Sequence, residues 1–232
     1  MTADYTLCYN TEDGKLYIGR NCGEEKERFV GQITSEIAEI AGYTGKGNVL
    51  YLKNFTFATS ASLALAVPGG TKIVFEGENS LSVINDQEDA NVGVLYSSGD
   101  LTLEGGSDDT LTIHAETRQG LWSRAVCARA GDLTVNGGKI TANSSGAKKS
   151  CGLYAGGRLW IEIGEKGKIT ISGGHVSVTA GKNAVRAAEG RLIIPAGAKV
   201  SNAQEFVGGE AFVGDCLSPI REEDPLIVSF LF

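Results

Sequence analysis

Trp160 stands in the stretch GGRLWIEIG (156–164), with Arg158 and Glu162 two residues to either side. In an extended strand these three share one face. An exposed indole beside a donor and an acceptor suits a sugar, whose C–H face stacks on the ring while its hydroxyls bond the flanking charges. The competing reading makes Trp160 a seat for the apolar C-terminal stretch LIVSFLF. Tyr96, Tyr154 and Arg186 recur at matching places in VLYSS, GLYAGG and AVRAAEG, with Cys127 between them. They form a second expected outward column, one able to line a shallow saccharide groove. Trp122, in RQGLWSRA between Arg118 and Arg124, is a further candidate ligand contact or an anchor for its own corner.

Catalytic chemistry is harder to assemble. A polysaccharide lyase needs acids holding Ca²⁺ beside an Arg or Lys base, and a glycoside hydrolase needs two carboxyls flanking the scissile bond. Asp108 and Asp109 in GSDDT, and Asp86, Glu88 and Asp89 in NDQEDA, fall where polar turn residues are expected anyway. His114 and His175 occupy different outward positions of their repeats, so they do not converge on a metal. No Ser-His-Asp or Cys-His set, phosphate-cradling loop or nucleotide fingerprint is present. No catalytic residue, metal ligand or cofactor is assigned. Glu76 and Glu104 are expected one coil apart in a column with Lys53, Asn136 and Glu162, where a Ca²⁺ ion, solvent or Lys53 would relieve their repulsion.

The elements that must position these residues follow from a repeat. The pattern x-Gly-x-Leu-x-(Leu/Ile/Val) recurs as SGDLTL, AGDLTV, GGRLWI and EGRLII, with looser earlier copies GTKIVF and NVLYLK. Aligned on Leu50, Ile73, Leu101, Leu133, Leu159 and Leu192, each copy opens a unit of about three short strands with period-two alternation, joined by Gly-rich corners. Such a unit cannot bury its inner face alone and must stack on the next. The expected fold is all-β, a single-stranded right-handed parallel β-helix of about five to six coils. Outward columns are then Lys72, Asp100, Asp132, Arg158, Arg191, and Tyr51, Val74, Thr102, Thr134, Trp160, Ile193. In the first of these Lys72 is expected to pair with Asp100 and Asp132 with Arg158. Open coil ends need covers. TSEIAEIAG offers Ser35 as N-cap, Ile33, Ile37 and Ile40 at helical spacing and Gly42 as a stop, so a short capping helix is expected. The division is 1–47 as N-terminal cap, 48–203 as β-helix and 204–232 as C-terminal cap, the last lying across the coil mouth or along a flank.

The stretches NVLYLKNFTFATSASLALAVPGGTKIVFEGENSLSV, LYSSGDLTLEGGSDDTLTIHA and GLYAGGRLWI resemble the β-helical, carbohydrate-binding-domain-like surface proteins of anaerobic Firmicutes, which have a pectate-lyase-like fold. The likeness spans about residues 48 to 203 and rests on turn glycines and core aliphatics. It implies polysaccharide binding with secretion or surface display. Some relatives hold calcium, but no family calcium motif maps onto this chain position by position.

Bulk composition narrows the partners. A formal net charge of -7 disfavours nucleic acid and anionic membrane, which demand clustered Lys and Arg. No apolar run approaches a membrane span, and MTADYTLCYN lacks the regions of a signal peptide. Five cysteines at irregular spacing point to buried thiols, although Cys8 and Cys22 could close a local loop. The combined expectation is a monomeric, non-catalytic polysaccharide-binding or adhesion module, secreted or at the cell surface. The alternatives are a lyase or hydrolase of the same fold, and a structural spacer of a larger surface protein.

Overall fold

The computed structural model of the chain describes residues 3–20, 32–88, 90–156, 167–181, 183–187, 191–194, 198–201, 209–212 and 226–230. Among them there is strand and turn but no helix, so none is long and apolar enough to cross a membrane. The chain begins with β1 (Thr6–Asn10), β2 (Lys15–Arg20), β3 (Gln32–Ile37) and β4 (Tyr43–Lys46). It then makes a repeated three-strand circuit: β5 (Val49–Lys53), β6 (Thr56–Thr59) and β7 (Leu63–Val67), followed by β8 (Thr71–Glu76), β9 (Glu78–Asn85) and β10 (Val92–Ser97). The same circuit continues through β11 (Leu101–Gly105), β12 (Thr110–Thr117), β13 (Trp122–Ala128), β14 (Leu133–Val135), β15 (Lys139–Ser145) and β16 (Lys149–Ala155). It passes on through β17 (Ile169–Ile171), β18 (His175–Ala180) and β19 (Asn183–Ala187) to β20 (Arg191–Ile194) and β21 (Ala198–Ser201), and the chain finishes with β22 (Gly209–Phe212) and β23 (Leu226–Phe230).

Corresponding strands stack in parallel. β5, β8, β11, β14, β17 and β20 make sheet I; β6, β9, β12, β15 and β18 make sheet II; β7, β10, β13, β16 and β19 make sheet III. This parallel stacking of corresponding strands fits a parallel β-helix. Columns of buried side chains converge from the three sheets, exemplified by Leu50, Ile73, Leu103, Val135 and Ile171 from sheet I and by Leu65, Leu95, Val126, Leu153 and Val185 from sheet III. Sheet II contributes Phe57, Leu81, Ile113, Ala142 and Val178.

The register departs from the repeat alignment twice. Leu101 pairs with Thr71, and Leu103 with Ile73, so β8 is shifted by two residues. Thr71 can take the inward slot because its hydroxyl donates to the Pro68 carbonyl at 2.7 Å, which satisfies a polar group only 1 % exposed. In the next departure Leu133 faces Ile169, and Thr134 faces Thr170, which in turn faces Ile193. The slots expected for Leu159 and Trp160 therefore belong to GKITI. Gly156 and Gly167 lie against each other, since a Cβ added to Gly167 would come 2.3 Å from the Gly156 Cα. The coil thus closes from β16 to β17 at that contact.

The aspartates of the Gly-Asp-Leu motif act as staples between successive circuits. Asp100 Oδ1 accepts the Asp132 backbone N–H at 2.9 Å, and Asp132 Oδ1 accepts that of Lys168 at 3.0 Å. Lys168 Nζ also lies 3.4 Å from Asp132 Oδ2, taking the place expected for Arg158. Lys72 pairs with Glu104 at 2.8 Å instead of with Asp100, a direct result of the two-residue shift. Asp132→Ala should lower the unfolding free energy by roughly 1–2 kcal/mol in denaturant titration. Asp132→Asn should recover most of that loss, because its amide oxygen still accepts.

The expected N-terminal capping helix does not form. Ser35 lies inside β3, which pairs antiparallel with β2, Ile33 opposite Gly19 and Ile37 opposite Tyr17. An unpaired β2 edge offers a row of backbone hydrogen bonds, whereas a helix of two turns is marginal in water. The cap is instead a meander: β1 pairs with β2 and also joins β7 in parallel, extending sheet III, while β4 pairs antiparallel with β5. At the other end β23 enters sheet II as an antiparallel strand between β18 and β21, and β22 pairs with β20. The C-terminal stretch therefore joins the sheets as strand.

Candidate binding surface

The three sheets present very different outer faces. Sheet III is buried on both sides, as the unbroken burial of β7, β10 and β13, and of β16 from Ser150 onward, shows. Its predicted column is present in register, Tyr96 with Cys127, Cys127 with Tyr154 and Tyr154 with Arg186. It is not an open groove: Tyr96 and Tyr154 are each 1 % exposed, and Trp122 only 6 %. LALAV, VGVLYS and SCGLYA carry apolar or small residues on both faces, and strands of that kind are buried on both sides. A continuous apolar run, in place of clean alternation, is the signal that marks this face in the sequence.

Inside that covered face the aromatics hold cations. The Arg124 guanidinium, itself 1 % exposed, stacks 3.8 Å from the Tyr154 ring centroid and 4.8 Å from that of Trp122. Lys149 Nζ lies 4.4 Å from the Trp122 ring, and half-buried Arg186 lies 5.9 Å from Tyr154. Burial pushes the Tyr96 hydroxyl up to about 12 against the pull of Arg129, and pushes the Cys127 thiol up to about 11 against that of Arg124. Burial likewise raises Tyr154. These groups stay protonated at neutral pH, so Cys127 is a packing thiol and not a nucleophile. Cys8 and Cys151 are buried in the same cluster.

Sheet I carries paired charges. Lys53 lies 2.6 Å from Glu76, beside the Lys72–Glu104 pair. Such exposed pairs contribute about 0–1 kcal/mol each and chiefly favour the register. The expected Glu76–Glu104 column does not exist, because Glu104 faces Val74 and Glu76 faces Lys53. Tyr51 is exposed at the N-terminal end of this sheet, and Trp160, Arg158 and Glu162 lie outside the described residues.

Sheet II is the open, uncharged face. Thr56, Ser80, Thr112, Thr141 and Ser177 form one outward column across its five parallel strands. Ala58, Ser82, His114, Asn143 and Thr179 form the adjacent column, and every one of these residues is exposed or half-exposed. Strand pairing sets the columns' rungs about 4.8 Å apart, and two residues of strand separate the columns by about 6.7 Å. Charge appears only at the rim. Glu78, Lys139 and His175 flank one side, and Glu116 the other, where its Oε2 lies 3.3 Å from His114 Nε2 and its Oε1 3.9 Å from Arg118. The two histidines occupy different columns, and among the described residues no three His, Cys, Asp or Glu side chains are placed to hold a metal ion. The period-two alternation of β9, β12, β15 and β18 marks this face as outward in the sequence, whereas its lattice exists only once the strands are paired in register.

Against known protein families, curated proteins and solved structures, the chain finds no match.

Proposed function

We propose that the protein is a non-catalytic polysaccharide-binding or adhesion module, secreted or displayed at a cell surface, and that the outer face of sheet II is its binding surface. In this reading 48–203 is a right-handed parallel β-helix of five to six coils, acting as a monomer. The observation that carries the reading is the two-column lattice of Thr, Ser, Asn and His on sheet II, set against the ion-paired outer face of sheet I and the covered one of sheet III. A hydroxyl both donates and accepts, as does each hydroxyl of a sugar, so such a face matches a neutral polyol without demanding a fixed charge pattern. The resemblance of the repeats to carbohydrate-binding-domain-like surface proteins supports the same ligand class.

Retention on immobilised plant cell-wall and mucin polysaccharides tests it. Thr112→Glu or Thr141→Glu should cut retention about tenfold, close to 1.4 kcal/mol, by placing an unpaired charge in the lattice. Thermal melting should stay near that of the parent chain, since both positions face water. No retention on any polysaccharide, or retention indifferent to these changes, would overturn the reading. Release of unsaturated or reducing ends during the assay would favour a lyase or hydrolase instead.

A further inference from the structure

The binding reading just given names a ligand class but not its physical state. We propose that sheet II recognises the ordered surface of an insoluble, uncharged polysaccharide, with several packed chains in contact at once, and not a single soluble chain.

The first ground is unused hydrogen-bonding capacity. Within the described structure the hydroxyls of Thr56, Ser80, Ser82, Thr112, Thr141 and Ser177 make no hydrogen bond to protein; of the lattice hydroxyls only that of Thr179 is engaged, with Asn143 Oδ1 at 2.6 Å, and His114 is held by Glu116. Buried hydroxyls elsewhere are in several cases spent on the fold: Thr71 on Pro68, Thr59 on Tyr5 at 2.8 Å, Ser144 on Ser123 at 2.8 Å. Sheet I also carries unspent hydroxyls, those of Thr102, Thr134 and Thr170, but in a single column beside its ion pairs, whereas sheet II sets them in two adjacent columns.

The second ground is shape. Pockets that hold small ligands wrap most of the ligand's surface, about 70–90 % of it. Sheet II is built from short side chains standing on a continuous parallel sheet, and its two columns contain no Trp, Tyr or Phe on which a lone sugar ring could stack. A single chain laid there would keep its far side in water and gain few contacts. Many weak, equivalent contacts become useful only when the ligand repeats in two directions as the protein does. Threonine suits this role because its branched side chain is stiff and loses little freedom on contact.

The third ground is charge. With a net charge of -7 and no cation inside the lattice, an acidic polymer is repelled. Lys139, at the rim, is already paired with Asp108 at 3.1 Å.

Co-sedimentation decides the matter, using microcrystalline cellulose and α-chitin powder, the acid-swollen amorphous forms of the same polymers, and their soluble oligosaccharides as competitors. The expected result is several-fold higher retention per unit surface on at least one crystalline powder than on its swollen form, with little competition by oligosaccharide. Thr112→Glu and the isosteric Thr112→Val should both reduce that retention, and Glu76→Gln on sheet I should not. Equal or stronger binding to swollen or soluble forms, still lost in Thr112→Glu, would overturn the ordered-surface inference while leaving polysaccharide binding in place. Absence of binding to every form would overturn both, as would binding that survives Thr112→Glu and Thr141→Glu.

Discussion

Phe75→Ala should lower the unfolding free energy by about 3–5 kcal/mol, measured by denaturant titration. Phe75 is 1 % exposed, and its ring fills space that two later circuits leave empty. A Cβ added to Gly105 would fall 2.3 Å from Phe75 Cε2, and one added to Gly138 would fall 2.4 Å from Phe75 Cζ. Removing the ring therefore opens a cavity floored by glycines that have no side chain to relax into it. Phe75→Leu should recover much of the loss, since most of the apolar volume returns. If Phe75→Ala cost under 1 kcal/mol, the shifted register that sets Phe75 opposite Gly105 would be wrong.

Gly174→Ala is the second large effect, expected to cost about 2–5 kcal/mol as left-handed strain and overpacking combine. Gly174 has φ +87, and an added Cβ would meet the Gly138 carbonyl oxygen at 2.3 Å and the Gly137 carbonyl carbon at 2.8 Å. Both obstacles are backbone of the preceding circuit, so no side-chain movement relieves them. Gly70 provides the control. Its φ of +81 imposes the same left-handed penalty, but a Cβ there meets nothing within 4 Å. Gly70→Ala should cost only the conformational part, roughly 1–2 kcal/mol. Equal melting shifts for the two variants would contradict the close approach of stacked corners.

How far the sequence could be read depended on how unambiguous each column was. Leu95, Val126, Leu153 and Val185, with Tyr96, Cys127, Tyr154 and Arg186 beside them, stack as their spacing implies. The motif gave no such guidance at β8, where a buried threonine takes a core slot and an isoleucine two residues later looks like the better match. It also misled at GGRLWI, a closer copy of the repeat than GKITI, although GKITI is what pairs with β14. Turn glycines and alternating aliphatics are cheap to duplicate, so a second copy inside one circuit cannot be told from the coil strand by pattern alone. The capping helix failed for a related reason: Ile33 and Ile37 are compatible with a helical stripe, but strand β2 offers β3 an edge that local propensity does not see. Burial of sheet III was legible in principle, from apolar residues on both faces, and the expected tyrosine groove overlooked it.

These corrections move the candidate site from tyrosines and an arginine on sheet III to the polar lattice of sheet II. Hydroxyl-radical footprinting in the presence of a retained polysaccharide tests that placement most directly, because His114 on sheet II and Tyr51 on sheet I both reach solvent and both react with the radical. Polysaccharide should protect His114 and leave Tyr51 labelled as in the unbound protein. Protection of Tyr51 with His114 unchanged would place the ligand on the charged face and contradict the assignment.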